Sequence, residues 1–197
     1  MGSSQLWLVR HGRTEWSATG RHTGRTDIDL DETGREQARA LGAVLAEQSF
    51  ALVLSSPLQR ALKTSALAGY GERAMLDDDL QEWDYGVYEG RTTDEIRISQ
   101  PGWTVWRDGC PGGETAAQVA VRTDRVIARV RATPDDSVVF AHGHLLRVLA
   151  ARWIGLDGAA GALLALDTAT VSVLGWEREQ PVIRTWNVGT WNVDKQT

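Results

Sequence analysis

Cysteine is nearly absent from this chain, and no apolar run is long. The single cysteine, Cys110, cannot form an intramolecular disulfide, which favours a reducing compartment and a simple packed thiol. The longest apolar run, around 159–166, falls far short of the roughly 18 to 20 residues that span a membrane. Residues 1–4 lack the basic and apolar regions of a signal peptide. The sequence therefore predicts a cytoplasmic protein.

Basic residues are in the minority. Lysine and arginine together number 21 against 26 aspartates and glutamates, which gives a formal net charge of −5. Binding to nucleic acid or to an acidic membrane needs a basic surface, so neither is predicted as a partner. The carboxylates and histidines also lack the spacing of a zinc or two-metal site, so we predict no metal and no other cofactor. An anionic ligand would have to be attracted by a local group of cations.

Short apolar segments and amphipathic stretches alternate along the chain. Segments 5–9, 51–54 and 137–141 are typical of buried strands, and each leads directly into polar residues. A helix is expected from Thr33, where Thr33 and Glu36 match a capping box. Another is expected from Pro57 as its first residue, with Ser56 as the cap, and others near 114 and from Gly143. Segments 170–176 and 181–186 are predicted to pair as a terminal hairpin.

This alternation predicts the α/β fold class. We expect a single domain over 1–197, built as a three-layer α/β/α sandwich with a mostly parallel central sheet. Between about 80 and 113 the pattern breaks, which indicates a small lid insertion with a short helix near 93–98. In sheets of this kind, ligands bind outside the carboxyl ends of the strands. The polar clusters that follow the strands should meet there.

Four of the residues that follow the strands suit a phosphate ester, which carries about two negative charges at neutral pH. Guanidinium and imidazole groups at short range can bind such a charge, and Arg10, His11, Arg60 and His142 supply them. Arg60 and Gly143 also lie at predicted helix N-termini, where the helix dipole favours an anion. These residues predict a phosphate site.

Five motifs now support a family resemblance. They read LVRHGRTEW, SSPLQRALKTS, EWDYGVYEG, PGGET and FAHGHLLR, in that order along nearly the whole chain. Together they resemble the histidine phosphatase superfamily, which has the phosphoglycerate-mutase-like fold. Within it, the sequence is similar to the sedoheptulose-1,7-bisphosphatase branch and to related bacterial acid phosphatases.

The resemblance implies a catalytic set. His11 would attack phosphorus through one ring nitrogen, while Arg10, Arg60 and His142 hold the equatorial oxygens. Glu82 would protonate the leaving alkoxide. For His11 to attack, its reacting nitrogen must be unprotonated, so we expect a backbone carbonyl to accept from the other nitrogen.

The resemblance also implies a set of substrate-binding residues. Some match a phosphate-side loop, and some belong to the later motifs. Two arginines, Arg107 and Arg147, are candidates for binding a second anionic group. A solvated surface arginine is an equally good reading of those two. We expect Trp83, Trp103 and Trp106 to wall the pocket. The substrate-binding candidates are Ser17, His22, Thr23, Gly24, Tyr85, Arg107, Gly143, His144 and Arg147.

Hydrolysis is the activity that the sequence favours. Residues 83–141, between the acid and the second histidine, hold few basic residues before about 114 and no long insertion, unlike the mutases of the superfamily. We expect a small phosphorylated metabolite as substrate, a sugar phosphate or sugar bisphosphate. The alternatives are a phosphoglycerate-mutase-type phosphotransferase, a phosphoprotein or phosphohistidine phosphatase, and a non-catalytic phospho-ligand binder. The sequence leaves a homo-oligomer open.

Overall fold

A six-stranded sheet forms the centre of the protein. The computed structural model describes residues 4–189, so residues 1–3 and 190–197 of the expected domain lie outside the described part. In space the strands follow the order β3-β2-β4-β1-β5-β6. The first four strands run parallel, β5 is antiparallel to β1, and β6 is antiparallel to β5. The strands are β1 (Leu6–Arg10), β2 (Leu52–Ser55), β3 (Met75–Leu76), β4 (Ser137–Ala141), β5 (Thr170–Glu177) and β6 (Gln180–Gly189).

Helices cover the sheet and connect its parallel strands. Short 3-10 turns at Asp78–Leu80, Gly86–Tyr88 and Gly158–Leu163 complete the connections. Within residues 4–189, no helix combines the length and the apolar character needed to cross a membrane. The helices are α1 (Glu15–Ala18), α2 (Glu32–Leu45), α3 (Gln59–Leu67), α4 (Thr93–Ser99), α5 (Val105–Asp108), α6 (Ala116–Arg131) and α7 (Gly143–Trp153).

Side chains of the strands fill a separate apolar layer on each face of the sheet. In β1, Leu8 packs in the layer beneath α6 and α7, and Val9 packs in the layer beneath α2 and α3. Successive strand residues point to opposite faces, so both must be apolar when both faces are covered. The predicted three-layer α/β/α sandwich is thereby confirmed.

Two predicted helix starts are wrong. The cap of α2 is Asp31, whose carboxylate accepts from the Gly34 amide at 2.7 Å, whereas Thr33 accepts from the Arg13 guanidinium instead. Helix α3 begins at Gln59 rather than at Pro57, because the intervening Leu58 has extended backbone angles. The first amide of α3 is capped by Asp27 from a distant loop, at 2.8 Å.

Strand β3 was not predicted from the sequence. Both of its side chains are exposed, at 59% for Met75 and 58% for Leu76, so no buried apolar run marks it. It exists through backbone pairing to Leu54 and Ser55 of β2. The terminal hairpin of β5 and β6, by contrast, forms where it was predicted.

The ends of the parallel strands bring the polar clusters to one edge. The His11 amide donates to the carbonyl of Ala141 at 3.0 Å, and the Ser56 amide donates to that of Phe140 at 2.9 Å. The lid, which contains α4 and α5, is joined to the loop after α1 by a bridge between Arg21 and Thr92. The residues after β1, β2 and β4 therefore lie side by side with the lid next to them.

Candidate active site

A cleft of about 190 Å³ opens at the carboxyl edge of the parallel strands. A wider cavity of about 600 Å³ lies near Asp135 and Asp136, but its lining has no histidine or arginine. Chemistry therefore favours the smaller cleft as the site. Of the predicted residues, those that line it are Arg10, His11, Ser17, His22, Thr23, Glu82, Tyr85, Gly143, His144 and Arg147.

His11 is held in one tautomer by its own neighbour. Its Nδ1 lies 2.7 Å from the carbonyl oxygen of Gly12. Because a carbonyl only accepts, Nδ1 must carry the proton, and Nε2 keeps its lone pair. Burial, followed by the charges of Arg60 and Arg10, lowers the pKa of His11 well below its ordinary value. The ring is therefore neutral with one unprotonated nitrogen, as expected for an attacking group.

His142 lies behind His11 and is neutral in the opposite tautomer. Its Nδ1 accepts from Nε of Arg60 at 3.1 Å, so its proton is on Nε2, which lies 2.7 Å from the Ser56 hydroxyl. Burial and the charge of Arg60 lower the pKa of His142 well below the ordinary value. The two histidine rings are 5.2 Å apart, measured between centroids.

Arg60 is fully buried and faces the protein rather than the cleft. Its terminal nitrogens donate to the carbonyls of Thr23 and Gly24 at 3.0 and 2.9 Å, and to that of Thr26 at 3.0 Å. Burial lowers the pKa of Arg60, while the charge of Glu82 opposes that shift. Arg60 thus supports the loop and orients His142, in addition to placing a positive charge behind His11.

Arg10 lines the cleft. One terminal nitrogen donates to the Leu166 carbonyl, while the buried Nε has no partner in the described part of the chain. A Cβ at Gly143 would lie 3.2 Å from Cζ of Arg10, so glycine makes room for the guanidinium. Burial lowers the pKa of Arg10, and the charge of Glu82 opposes the change. Because its guanidinium is a cation on the wall of the cleft, Arg10 can attract an anion there.

Glu82 sits at the N-terminus of α7. Its Oε1 accepts from the amides of Trp83 and Leu145, both at 2.9 Å, and its Oε2 accepts from the amide of His144 at 3.0 Å. The predicted anion-binding amides after Gly143 are therefore occupied by this carboxylate. Since each carboxylate oxygen has two acceptor sites, Oε2 keeps one free.

Aromatic and imidazole rings form the wall towards the lid. His144 lies 5.0 Å from Trp106 and 6.0 Å from His22, measured between ring centroids. Burial lowers the pKa of His22 to about 4. Trp103 and Trp106 line a side cavity of about 150 Å³ that shares His22 and His144 with the cleft. These two tryptophans thus wall a space beside the cleft.

Arg60 and His142 lie behind the cleft lining and Trp103 and Trp106 lie beside it, and three further predicted residues are also absent from that lining. Trp83 is fully buried and donates through Nε1 to the Glu114 carbonyl at 2.9 Å. Gly24 lies behind the cleft, where a Cβ would approach the Trp83 carbonyl oxygen to 2.5 Å. Arg107 is exposed and bonded to Asp108, its chain neighbour, at 2.8 Å. Because this local carboxylate holds its guanidinium, the structure does not support Arg107 as a substrate contact.

Some residues of the site were missed from the sequence. Ser56 belongs to the SSPLQR motif, which could have marked it as a partner of His142. Arg122, which supports the Glu82 segment, has no local signal. Gly20, Arg21 and Leu166 complete the lining of the cleft. Within 4–189, no group of three or more histidines, cysteines or carboxylates is arranged to hold a metal ion.

Comparisons with known proteins agree on the family of this chain. A family model described as the histidine phosphatase superfamily (branch 1) matches residues 6–189. An acid phosphatase from Mycobacterium tuberculosis is 43% identical, over 88% of this chain and 87% of its own. Sedoheptulose 1,7-bisphosphatase from Saccharomyces cerevisiae is 39% identical, over 76% of this chain and 67% of its own.

A solved structure extends the agreement to three dimensions. It is the product of an open reading frame of Mycobacterium tuberculosis, with a TM-score of 0.91 and 40% identity over 95% of this chain and 98% of that one. The phosphatase relatives support phosphoester hydrolysis as the activity. With the family model matching the sheet, the lid and both histidines, this chain belongs to the histidine phosphatase superfamily.

Proposed function

We propose that this protein hydrolyses phosphomonoesters of small metabolites through a phosphohistidine at His11. The observation that carries the proposal is the hydrogen bond from His11 Nδ1 to the Gly12 carbonyl at 2.7 Å. It leaves the Nε2 lone pair free at the cleft, where a phosphorus atom can be attacked. A covalent intermediate then divides one difficult step into two easier ones.

The first step transfers the phosphoryl group to His11. A bond forms between Nε2 and phosphorus while the ester P–O bond breaks, and the leaving oxygen takes a proton from Glu82. Glu82 lines the cleft and is placed there to supply that proton. Arg10, which lines the cleft, binds the phosphoryl oxygens. The positive charge of buried Arg60 acts on the phosphoryl group from behind His11. The low dielectric of the protein interior strengthens this interaction.

The second step releases phosphate. Glu82, now ionised, accepts a proton from water, and the water oxygen attacks phosphorus as the bond to Nε2 breaks. No metal ion takes part in either step, so activity should persist in EDTA. Positioning and electrostatic complementarity supply most of the acceleration in phosphoryl transfer.

We propose a sugar phosphate or sugar bisphosphate as the substrate class. The yeast relative named as a sedoheptulose bisphosphatase supports this choice. The cleft volume of about 190 Å³ and the wall formed by Tyr85 of the lid also favour a small ester over a phosphoprotein surface. Arg147, which lines the cleft and stacks on Trp106 at 4.4 Å, is the candidate for a second anionic group.

The test measures phosphate release from a panel of sugar phosphates, simple alkyl phosphates and phosphopeptides. We expect turnover of sugar phosphates in EDTA, and an acid-labile, alkali-stable phosphoenzyme after rapid quenching. His11→Ala should abolish both signals. Arg10→Gln should lower kcat about 100-fold or more. Arg13→Gln is the control, because Arg13 pairs with Asp31 and does not line the cleft, and kcat should not fall in this variant.

Three results would contradict the proposal. They are full turnover in His11→Ala, faster hydrolysis of phosphopeptides than of sugar phosphates, and transfer of the phosphoryl group to a second metabolite in preference to water. The last would indicate a mutase.

A further inference from the structure

Tyr85 of the lid makes a short hydrogen bond to His144. The Tyr85 hydroxyl oxygen lies 2.5 Å from Nδ1 of His144, in the first turn of α7. Burial, followed by the negative charge of Glu82, raises the pKa of Tyr85 well above its ordinary value. The phenol therefore keeps its proton. Because Nδ1 of His144 is the only hydrogen-bond partner of this buried hydroxyl among the described residues, the phenol donates and Nδ1 accepts.

The ring of His144 is uncharged. Burial, followed by the positive charge of Arg147, the neighbouring His22 and the charge of Arg10, lowers the pKa of His144 well below its ordinary value. A neutral imidazole carries one proton. Because Nδ1 accepts from Tyr85, that proton is on Nε2.

His144 lies on the wall of the cleft. The residue lines both the cleft and the side cavity, and Nε2 has no hydrogen-bond partner within the described residues. The backbone amide of the same residue contacts Oε2 of Glu82 at 3.0 Å. His144 is therefore fixed beside the acid, on the side where the leaving group must lie.

We propose that Tyr85 holds His144 as an uncharged donor that binds a hydroxyl or carbonyl oxygen of the leaving group. This selectivity rests on the proposed function and deepens it. The arginines bind the charged phosphoryl group, whereas the neutral N–H group of His144 binds an uncharged oxygen. An ester without such an oxygen would leave the N–H unpaired in a desolvated wall, which is how a polar pocket rejects an apolar analogue. Tyr85 is a positioning residue, and His144 makes the contact.

The kinetic test compares two esters and two tyrosine variants. Glycerol 3-phosphate carries a hydroxyl next to the ester carbon, whereas propyl phosphate has none. In Tyr85→Phe, the ratio of kcat/KM for glycerol 3-phosphate over propyl phosphate should fall about three- to tenfold, the value of one net hydrogen bond. Tyr88→Phe is the matched control: Tyr88 is equally buried in the same lid turn, but its ring packs on Trp103 and does not line the cleft. Its ratio should not change, and an unchanged ratio in Tyr85→Phe would overturn the proposal.

A spectroscopic test reads the tautomer without turnover. In protein with ¹⁵N-labelled histidine, with the signals assigned through His144→Gln, His144 should show a protonated Nε2 and an unprotonated Nδ1 at neutral pH. Tyr85→Phe should shift the ring towards a mixture of tautomers, and Tyr88→Phe should not. A charged ring or an Nδ1–H tautomer in the unmodified protein would overturn the proposal. If the expected tautomer were found but neither ester were hydrolysed, the proposed function and its selectivity would fail, and only the Tyr85–His144 pair would stand.

Discussion

Arg122 and Glu114 form a buried salt bridge beneath the segment that carries Glu82. Nε of Arg122 lies 2.9 Å from Oε1 of Glu114, and the two side chains are only 8% and 16% exposed. The same guanidinium donates to the Gln81 and Glu82 carbonyls at 2.5 and 3.1 Å. Glu114 in turn accepts from the Asp84 amide at 2.8 Å. The pair therefore fixes the backbone on both sides of Glu82, the proposed acid.

Arg122→Met should destabilise the protein strongly. It leaves Glu114 buried without its charge partner, which typically costs about 3–5 kcal/mol. Arg125→Met is the matched control in the same helix, because Arg125 is 58% exposed and its pair with Asp79 is a surface pair worth at most about 1 kcal/mol. Urea unfolding measures both. Equal losses in the two variants would show that the buried pair has no special role.

Ser56→Ala should impair catalysis more than a comparable serine change. The variant leaves the His142 Nε2–H group buried without an acceptor, which costs about 1–3 kcal/mol. We expect a lower kcat as His142 loses its fixed orientation. Ser65→Ala is the control, because Ser65 is equally buried but bonds to the Leu62 carbonyl within its own helix. Normal kcat in Ser56→Ala would contradict the role given to this serine.

Gly34→Ala should disturb the segment that follows His11. A Cβ at Gly34 would lie 2.0 Å from the Arg13 carbonyl oxygen, so the helix or the loop must move, at a cost of about 1–3 kcal/mol or more. Gly42→Ala in the same helix is the control, since its Cβ would meet the Ala68 carbonyl oxygen at 3.3 Å. We expect a large drop in Tm and in kcat only for Gly34→Ala. A similar Tm for both variants would contradict the close approach.

The protein should lose stability as the pH falls below 6.5. Burial lowers the pKa of His22 from 6.5 to about 4, and it lowers the pKa values of His11, His142 and His144 well below 6.5. Between these values the unfolded chain binds protons that the folded chain does not, so the free energy of unfolding decreases with falling pH. For His22 alone, the loss occurs between pH 6.5 and about 4 and then stops.

Thermal unfolding between pH 4 and 8 checks this dependence. His22→Gln should reduce the slope over that window, because one proton fewer is bound on unfolding. A Tm that stays constant from pH 7 to pH 5 would show that the buried histidines do not control acid stability.

The named strands other than β3, and the position of the proposed nucleophile His11, could be predicted because their signals are local. Segment 137–141 is apolar apart from Ser137 and matches β4, and the change to polar residues at Arg10 and His11 marks the end of β1. The hairpin of β5 and β6 likewise follows from two β-prone segments joined by a polar turn.

The rest depends on partners that are distant in sequence. The Gln59 amide is capped by Asp27, and Arg122 supports carbonyls about 40 positions away, so neither contact leaves a local pattern. The Glu82 carboxylate takes the amides of α7 that a helix N-terminus would otherwise offer to a ligand. Arg107 is the opposite case, because its partner is local: the adjacent Asp108 binds its guanidinium.

The position of β4 at the centre of the parallel strands has a consequence for how activity arises during folding. It pairs with β1 on one side and β2 on the other, and these three strands lead to His142, His11 and Arg60 respectively. Contacts so far apart in sequence form late, since long loops must close first. A chain that has been synthesised only as far as β3 holds the proposed nucleophile together with Arg10 and Arg60 but has no catalytic centre, and insertion of β4 brings His142 beside them.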